Sequence, residues 1–228
     1  MLFTCKSVLR QAPYSNSDVN ILDEQPLYQG FFKAYKIRLE HKLFAKQSGQ
    51  SAKADVQDKA YSTAIERELV HRAIAVAAML YDPHLDAIGL IEQFRVGALD
   101  ASLGPWTLEG VAGMRDHAEE PLEAVMRREL IEEAGIEDCT LIPIVRYLPS
   151  PGGWAEQIQL YCALCDLRDK QGRYGLTHES EDLYLHVFRA DDVFDALYTS
   201  RANNAATLIG LQWLKEQRSA LRESAQQT

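Results

Sequence analysis

A helix whose apolar line ends in carboxylates constrains this chain more than any other stretch. It lies within Gly113 to Ile136, GMRDHAEEPLEAVMRRELIEEAGI. Glu120 precedes Pro121, and proline suits a first helical turn because its missing N–H is not needed there. Gly135 stands where a left-handed residue would end the helix. Leu122, Val125 and Met126 recur at i, i+3 and i+4 and predict a buried stripe. Glu129 and Glu133 continue the same line, and Glu132 sits just beside it.

That arrangement carries two electrostatic penalties. Glu129 and Glu133 are like charges at i, i+4, which repel. Glu132 and Glu133 lie in the last turn, where the helix dipole is already negative. No lysine stands four residues from Glu129 or Glu133, and Arg128 is placed to pair with Glu132 at i+4. A hard divalent cation offsets both penalties, because Mg²⁺ takes carboxylate oxygens. A solvated acidic helix end is the plain alternative for an isolated ExxEE.

The 228 residues, 46% of them hydrophobic, suffice for one sizeable core, or for one domain plus an appendage. A net charge of −9 argues against nonspecific nucleic-acid binding and against anionic membranes. No apolar run reaches transmembrane length, and MLFTCKSVLRQ lacks the apolar core of a signal peptide. The expectation is a soluble cytoplasmic protein. Cys162 and Cys165 form a CxxC, but QIQLYCALCDL alternates as a strand and turns them to opposite faces. That spacing argues against a metal or redox role.

In chain order, residues 1–60 read as a small N-terminal β unit and residues 61–228 as the main domain. Tyr35, Ile37 and Leu39 alternate with charged residues as a half-buried strand. Lys46–Ser62 is a polar excursion. Leu69–Leu80, Ala87–Phe94, Leu141–Leu148, Gln157–Leu167 and Leu183–Phe188 read as strands. Ala190–Tyr198 and Ala205–Ala225 read as helices. Strands and helices in this order predict an α/β (α+β) fold with a mixed sheet. Three further stretches carry candidate chemistry. Glu179 and Glu181 flank Ser180 in a loop, where a carboxylate can serve as a general base or remain an ordinary solvated charge. Ser150-Pro151-Gly152-Gly153, followed by Glu156, is a tight turn. Arg95 ends a strand, and its fork suits either a diphosphate or a surface ion pair.

The central stretch resembles the Nudix box: Gly, five residues, Glu, seven residues, then Arg-Glu-apolar-x-Glu-Glu-x-Gly-apolar. Glu120, Arg128, Glu129, Leu130, Glu132, Glu133 and Gly135 fall in register. The chain departs from the pattern at Gly113, because Met114–Glu119 makes six residues where the family has five. Outside the box, LYQGFF, IEQFRVGAL, WTLEGVAGM, SPGGWAE, ESEDLYLHV and NNAATLIGLQWL resemble the bacterial ADP-ribose pyrophosphatases of that superfamily.

The resemblance implies a mixed β-sheet sandwiched between helices, with a small N-terminal β-rich domain swapped across a homodimer. It implies hydrolysis of ADP-ribose to AMP and ribose 5-phosphate with two or three Mg²⁺ or Mn²⁺ ions. By motif position, Glu129, Glu133, Glu181 and the carbonyl of Ala112 would hold metal. Glu179 would take the proton from water, Glu132 would assist, and Arg128 would orient the carboxylates. Phe31, Phe32, Arg67, Glu68, Arg72, Arg95, Met114, Ser150, Pro151, Gly152 and Glu156 would contact substrate, with the two phenylalanines on adenine. A nucleotide-sugar pyrophosphatase of the GDP-mannose type is the rival enzyme, and an ADP-ribose sensor the rival without catalysis.

Overall fold

The computed structural model of the chain describes residues 12–44, 60–176 and 181–227. It falls into two compact units. One extends to Arg72 and takes in Gly152–Ala155; the other holds Ala73–Pro151 and the chain from Glu156 onward.

The first unit is a three-stranded antiparallel sheet of β1 (Val19–Gln29), β2 (Lys33–His41) and β3 (Ile65–His71), in that order. The predicted alternation at Tyr35, Ile37 and Leu39 falls on β2, where Ile37 is buried. The sequence set the unit's end near residue 60; β3 pairs with β2 from Ile65 to His71 and carries the unit on to Arg72. The turn Gly152–Ala155 joins the same unit by two backbone bonds: Val70 N–H donates to the Gly153 carbonyl and Ala155 N–H to the Val70 carbonyl. The polar stretch 46–59 lies outside the described residues.

The second unit is built on an eight-stranded mixed sheet. Its strands are β4 (Ala75–Asp82), β5 (Ala87–Phe94), β6 (Trp106–Glu109), β7 (Val111–Met114), β8 (Thr140–Tyr147), β9 (Ile158–Leu164), β10 (Gly172–Tyr174) and β11 (Leu183–Arg189). The order is β10-β11-β5-β4-β9-β8, with β6 on β5 and β7 on β4. β4 runs parallel to β9; the other pairings are antiparallel. Leu69–Leu80 is therefore two strands rather than one. Its first part pairs with β2 and its second with β7 and β9, so the chain breaks between His71 and Ala75 to change sheets.

Alternation along β4 produces the two core layers. Val76, Ala78 and Leu80 face α1 (Leu122–Ala134), packing with Val125, Met126 and Leu130. Ala77, Met79 and Tyr81 face α2 (Ala190–Asp195) and α3 (Ala205–Ala225), packing with Phe194, Leu211 and Leu214. The sheet is sandwiched between helices as expected. Cys165 packs in the first layer and Cys162 in the second, so the CxxC sulfurs are on opposite faces.

α1 begins one residue later than its proline. Pro121 is extended (ψ 132°) and caps the helix from outside, its carbonyl accepting from the N–H groups of Ala124 and Val125. The helix ends at Gly135, with φ 60° and ψ 30°. There Ile136 N–H returns to the Leu130 carbonyl and Gly135 N–H to that of Ile131. An L side chain at that φ is strained, and a Cβ there would stand 2.9 Å from the Tyr174 ring. Gly135→Ala should cost about 1–2 kcal/mol. A lowered urea midpoint checks this, and an unchanged midpoint contradicts it.

Candidate active site

The buried residues of α1 are Val125, Met126, Glu129, Leu130, Glu133 and Ala134. The apolar line therefore does pass into carboxylates without leaving the interior. Glu129 is 9% exposed and Glu133 4%. Burial pushes the Glu129 carboxyl up to about 7, with Glu132 and Glu181 adding to the rise and Arg128 opposing it. Burial pushes Glu133 up to about 8; Glu129 and Glu181 add to this, while the Ala112 N–H and Arg95 oppose it. Two buried, mutually repelling carboxylates with too little positive charge around them form the electrostatic centre of this unit.

β7 supplies the opposite wall. Ala112 N–H donates to Glu133 Oε2 at 3.1 Å. A Cβ on Gly113 would fall 2.0 Å from Glu129 Cδ and 2.1 Å from its Oε1, so the glycine is where the carboxylate finds room. Met114 continues β7 opposite Ala75. The loop that follows is exposed from Asp116 to Glu119; the extra residue of the box is accommodated there, with α1 intact.

Arg128 lies along the outer edge of this pair. Its guanidinium is 2.8 Å from Glu129 and 3.3 Å from Glu132, with Asp116 at 3.6 Å. The i+4 partner named from sequence is present, and Glu129 shares it. At the helix end, Lys170 Nζ donates to the Gly135 carbonyl at 2.7 Å and opposes the negative dipole.

Arg95 grips Glu109 with two groups: Nε at 3.2 Å from both carboxylate oxygens and Nη2 at 2.8 Å from Oε2. Thr107 Oγ1 donates to Glu109 Oε1 at 2.6 Å. Sequence reasoning passed over Glu109 and Thr107. The available signal was a charged residue and a threonine two apart inside the short strand WTLE, where alternation puts both on one face. Arg95 is within electrostatic reach of Glu133 and Glu181. Glu181 N–H and carboxylate bond the Leu176 carbonyl and N–H, each at 3.3 Å, and Gly175 N–H reaches the Glu132 carbonyl at 3.4 Å. The last of these bonds ties Gly175 to the end of α1. Glu179 lies outside the described residues. Ser150 and Pro151 stand in the turn after β8, and Glu156 is buried.

The remaining predicted residues belong to the first unit. Phe31, 80% exposed, meets Phe32 edge-on at 5.0 Å between centroids. Phe32 is edge-on to Trp154 at 5.4 Å, with the Arg72 guanidinium 5.5 Å from its ring centre. Arg67 donates to the Glu66 carbonyl, and Glu68 lies on β3 opposite Lys36. Gly152 has open space where a Cβ would stand.

Among the described residues, no three His, Cys, Asp or Glu side chains stand together as a closed metal set. The residues that are present nonetheless suit a hard divalent cation. Glu129 and Glu133 offer oxygen donors held in place by Gly113 and Ala112, at a point short of positive charge.

The Nudix domain family matches residues 71–209, more than half the chain, and the chain belongs to that family of hydrolases. It is 36% identical to the ADP-ribose pyrophosphatase of Haemophilus influenzae over 227 residues, covering 98% of each protein. It is also 36% identical to the ADP-ribose pyrophosphatase of Escherichia coli K12 over 209 residues, 92% of this chain and 93% of that one. The GDP-mannose pyrophosphatase of Cronobacter sakazakii is 28% identical over 151 residues, 66% of this chain and 78% of that one. In fold, the chain resembles a crystal structure of an ADP compounds hydrolase, with a TM-score of 0.62 at 20% identity. That match spans 90% of this chain and 98% of the other.

The raised carboxyls fix the sign of a pH effect. A group whose folded pKa exceeds its unfolded value contributes stability below the unfolded pKa and loses it as pH rises through the folded pKa. Metal-free protein should therefore lose stability from about pH 5 through about 7 and 8 as Glu129 and Glu133 ionise. Glu133→Gln keeps an acceptor for the Ala112 N–H and removes the charge. In EDTA its Tm should exceed wild type at pH 8 and converge with it at pH 5. Parallel Tm curves for the two proteins would contradict this.

Proposed function

We propose that this Nudix hydrolase cleaves the diphosphate bond of ADP-ribose, releasing AMP and ribose 5-phosphate in a divalent-metal-dependent reaction. The observation that carries the chemistry is the buried Glu129–Glu133 pair against Ala112–Gly113. The choice of ADP-ribose is supported by relatives that match over nearly the whole chain, where the GDP-mannose enzyme matches over a shorter part at lower identity. A nucleotide-sugar diphosphate remains the second reading on that shorter match.

In this reading Glu129, Glu133, Glu181 and the Ala112 carbonyl hold two or three Mg²⁺ or Mn²⁺ ions. Such ions, when bound, neutralise charge on the diphosphate and acidify water. Arg128 keeps Glu129 and Glu132 in place by pairing with both. Glu179 accepts the proton of the attacking water, and Glu132 assists. Arg95, which holds Glu109 in the free chain, takes the diphosphate together with Met114, Ser150, Pro151 and Glu156.

The proposal includes a homodimer in which Phe31 and Phe32 stack on the adenine of the partner subunit's substrate, with Arg67, Glu68 and Arg72 nearby. The support is β1, an edge strand exposed along its whole length with Val19, Ile21, Leu22, Leu27 and Tyr28 open to solvent. An uncovered apolar edge of that length calls for a partner. No described helix is long and apolar enough to cross a membrane, and the proposal places the enzyme in the cytoplasm.

Two carboxylates separate the roles. Glu179→Gln should lower kcat by about 10²–10⁴ with the Mg²⁺ midpoint of activity unchanged. Glu133→Gln should raise that midpoint. A near-normal kcat in Glu179→Gln moves the base elsewhere. In a panel of ADP-ribose, GDP-mannose, NADH and diadenosine compounds, kcat/KM should be highest for ADP-ribose; an equal value for GDP-mannose overturns the substrate assignment. Light scattering at micromolar concentration should give twice the chain mass, and a monomer refutes the dimer.

A further inference from the structure

The side-chain amide of Gln93, at the end of β5, holds a buried donor. Gln93 is 8% exposed, and its Nε2 lies out of contact with solvent with no hydrogen-bond partner among the described residues. A buried donor left unsatisfied is destabilising, so its presence calls for an explanation.

Alternation along β5 places this amide. Ile91 packs in the layer facing α1, and Gln93 and Arg95 follow it at intervals of two on the same face. On the neighbouring strand Thr107 is directly opposite Gln93 and Glu109 opposite Ile91. Directly opposed side chains are near neighbours, and the diagonal neighbour is within reach of a long side chain. Gln93 thus stands beside a closed set of bonds: Arg95 on Glu109, and Thr107 on Glu109. Glu109 is 8% exposed, and a buried carboxylate that loses its cation incurs a large desolvation penalty. Arg95 is the exposed member of the set.

We infer that Gln93 is a positioning residue that exchanges partners with Arg95. When Arg95 turns its fork from Glu109 to the diphosphate of the substrate, Gln93 Nε2 takes the vacated place on Glu109. The unpaired amide is then a waiting donor: its unmet bond in the free enzyme is made in the complex, which lowers the net cost of moving Arg95. The inference rests on the proposed role of Arg95 as a diphosphate contact.

Three variants test it, with KM, kcat and Tm measured on the substrate that the panel selects. Arg95→Gln examines the underlying role; a wild-type KM removes that role and the inference with it. With KM raised in Arg95→Gln, Gln93→Met becomes decisive, since it keeps the bulk and removes the donor. It should raise KM about tenfold, with kcat within about threefold, Tm no lower, and the Mg²⁺ midpoint unchanged. A wild-type KM in Gln93→Met overturns the inference alone, as does a lowered Tm, which would mark the amide as an ordinary structural bond. Glu109→Gln supplies the coupling test. Without the carboxylate there is no charge to shelter, so adding Gln93→Met should change KM by less than about threefold. An undiminished tenfold effect in that background overturns the exchange.

Discussion

Two like charges buried on one line of a helix are the constraint on which the second unit depends. Glu129 and Glu133 occupy positions that the period of α1 assigns to the core, four and eight residues after Val125. Their interior location follows from the same packing that buries Val125, Met126 and Leu130 against β4. The helix cannot rotate them out without exposing that stripe. Packing energy thus holds the carboxylates where solvation would not, and their raised affinity for protons measures the mismatch. The same mismatch makes the place attractive to a hard cation.

The surrounding structure manages this charge without cancelling it. Arg128 divides itself between Glu129 and Glu132, and Ala112 N–H serves Glu133. Lys170 answers the helix dipole at Gly135. Arg95, the other nearby cation, is committed to Glu109. A diphosphate brings further negative charge to this place, so metal-free carboxylates alone would repel it. Loaded with cations, the same carboxylates become an attractive surface for it, and binding and chemistry then draw on one electrostatic arrangement.

Much of this was legible locally. The period of LEAVMRRELIEEA, the glycine after it and the in-register glutamates give the helix, its end and the carboxylate line, because each depends on neighbours within eight residues. The alternation AIAVAAML likewise gives a strand buried on both faces. Interactions that join distant residues were not legible. Lys170 reaches Gly135 across 35 residues and Arg95 reaches Glu109 across 14, and no period announces either. The break between β3 and β4 was missed because both sides are apolar; only the change of ladder partner separates them. β1 escaped notice since an edge strand exposed throughout has no buried face to impose alternation. Arg95 and Glu156 stood out by their place at a strand end and after a turn, and the family resemblance added the expectation that Phe31 and Phe32 contact substrate.

The central claim is that α1 presents two partly protonated, buried carboxylates that a divalent cation ionises. Calorimetric titration of the metal-free enzyme with Mn²⁺ at pH 7, in two buffers of different ionisation enthalpy, measures the protons released per ion bound. With carboxyls raised to about 7 and about 8, binding should release on the order of one proton, fading as pH is raised past 9. Binding with no proton release at pH 7 would mean that the carboxylates are already ionised and solvated, and the account of a strained helix awaiting metal would be wrong.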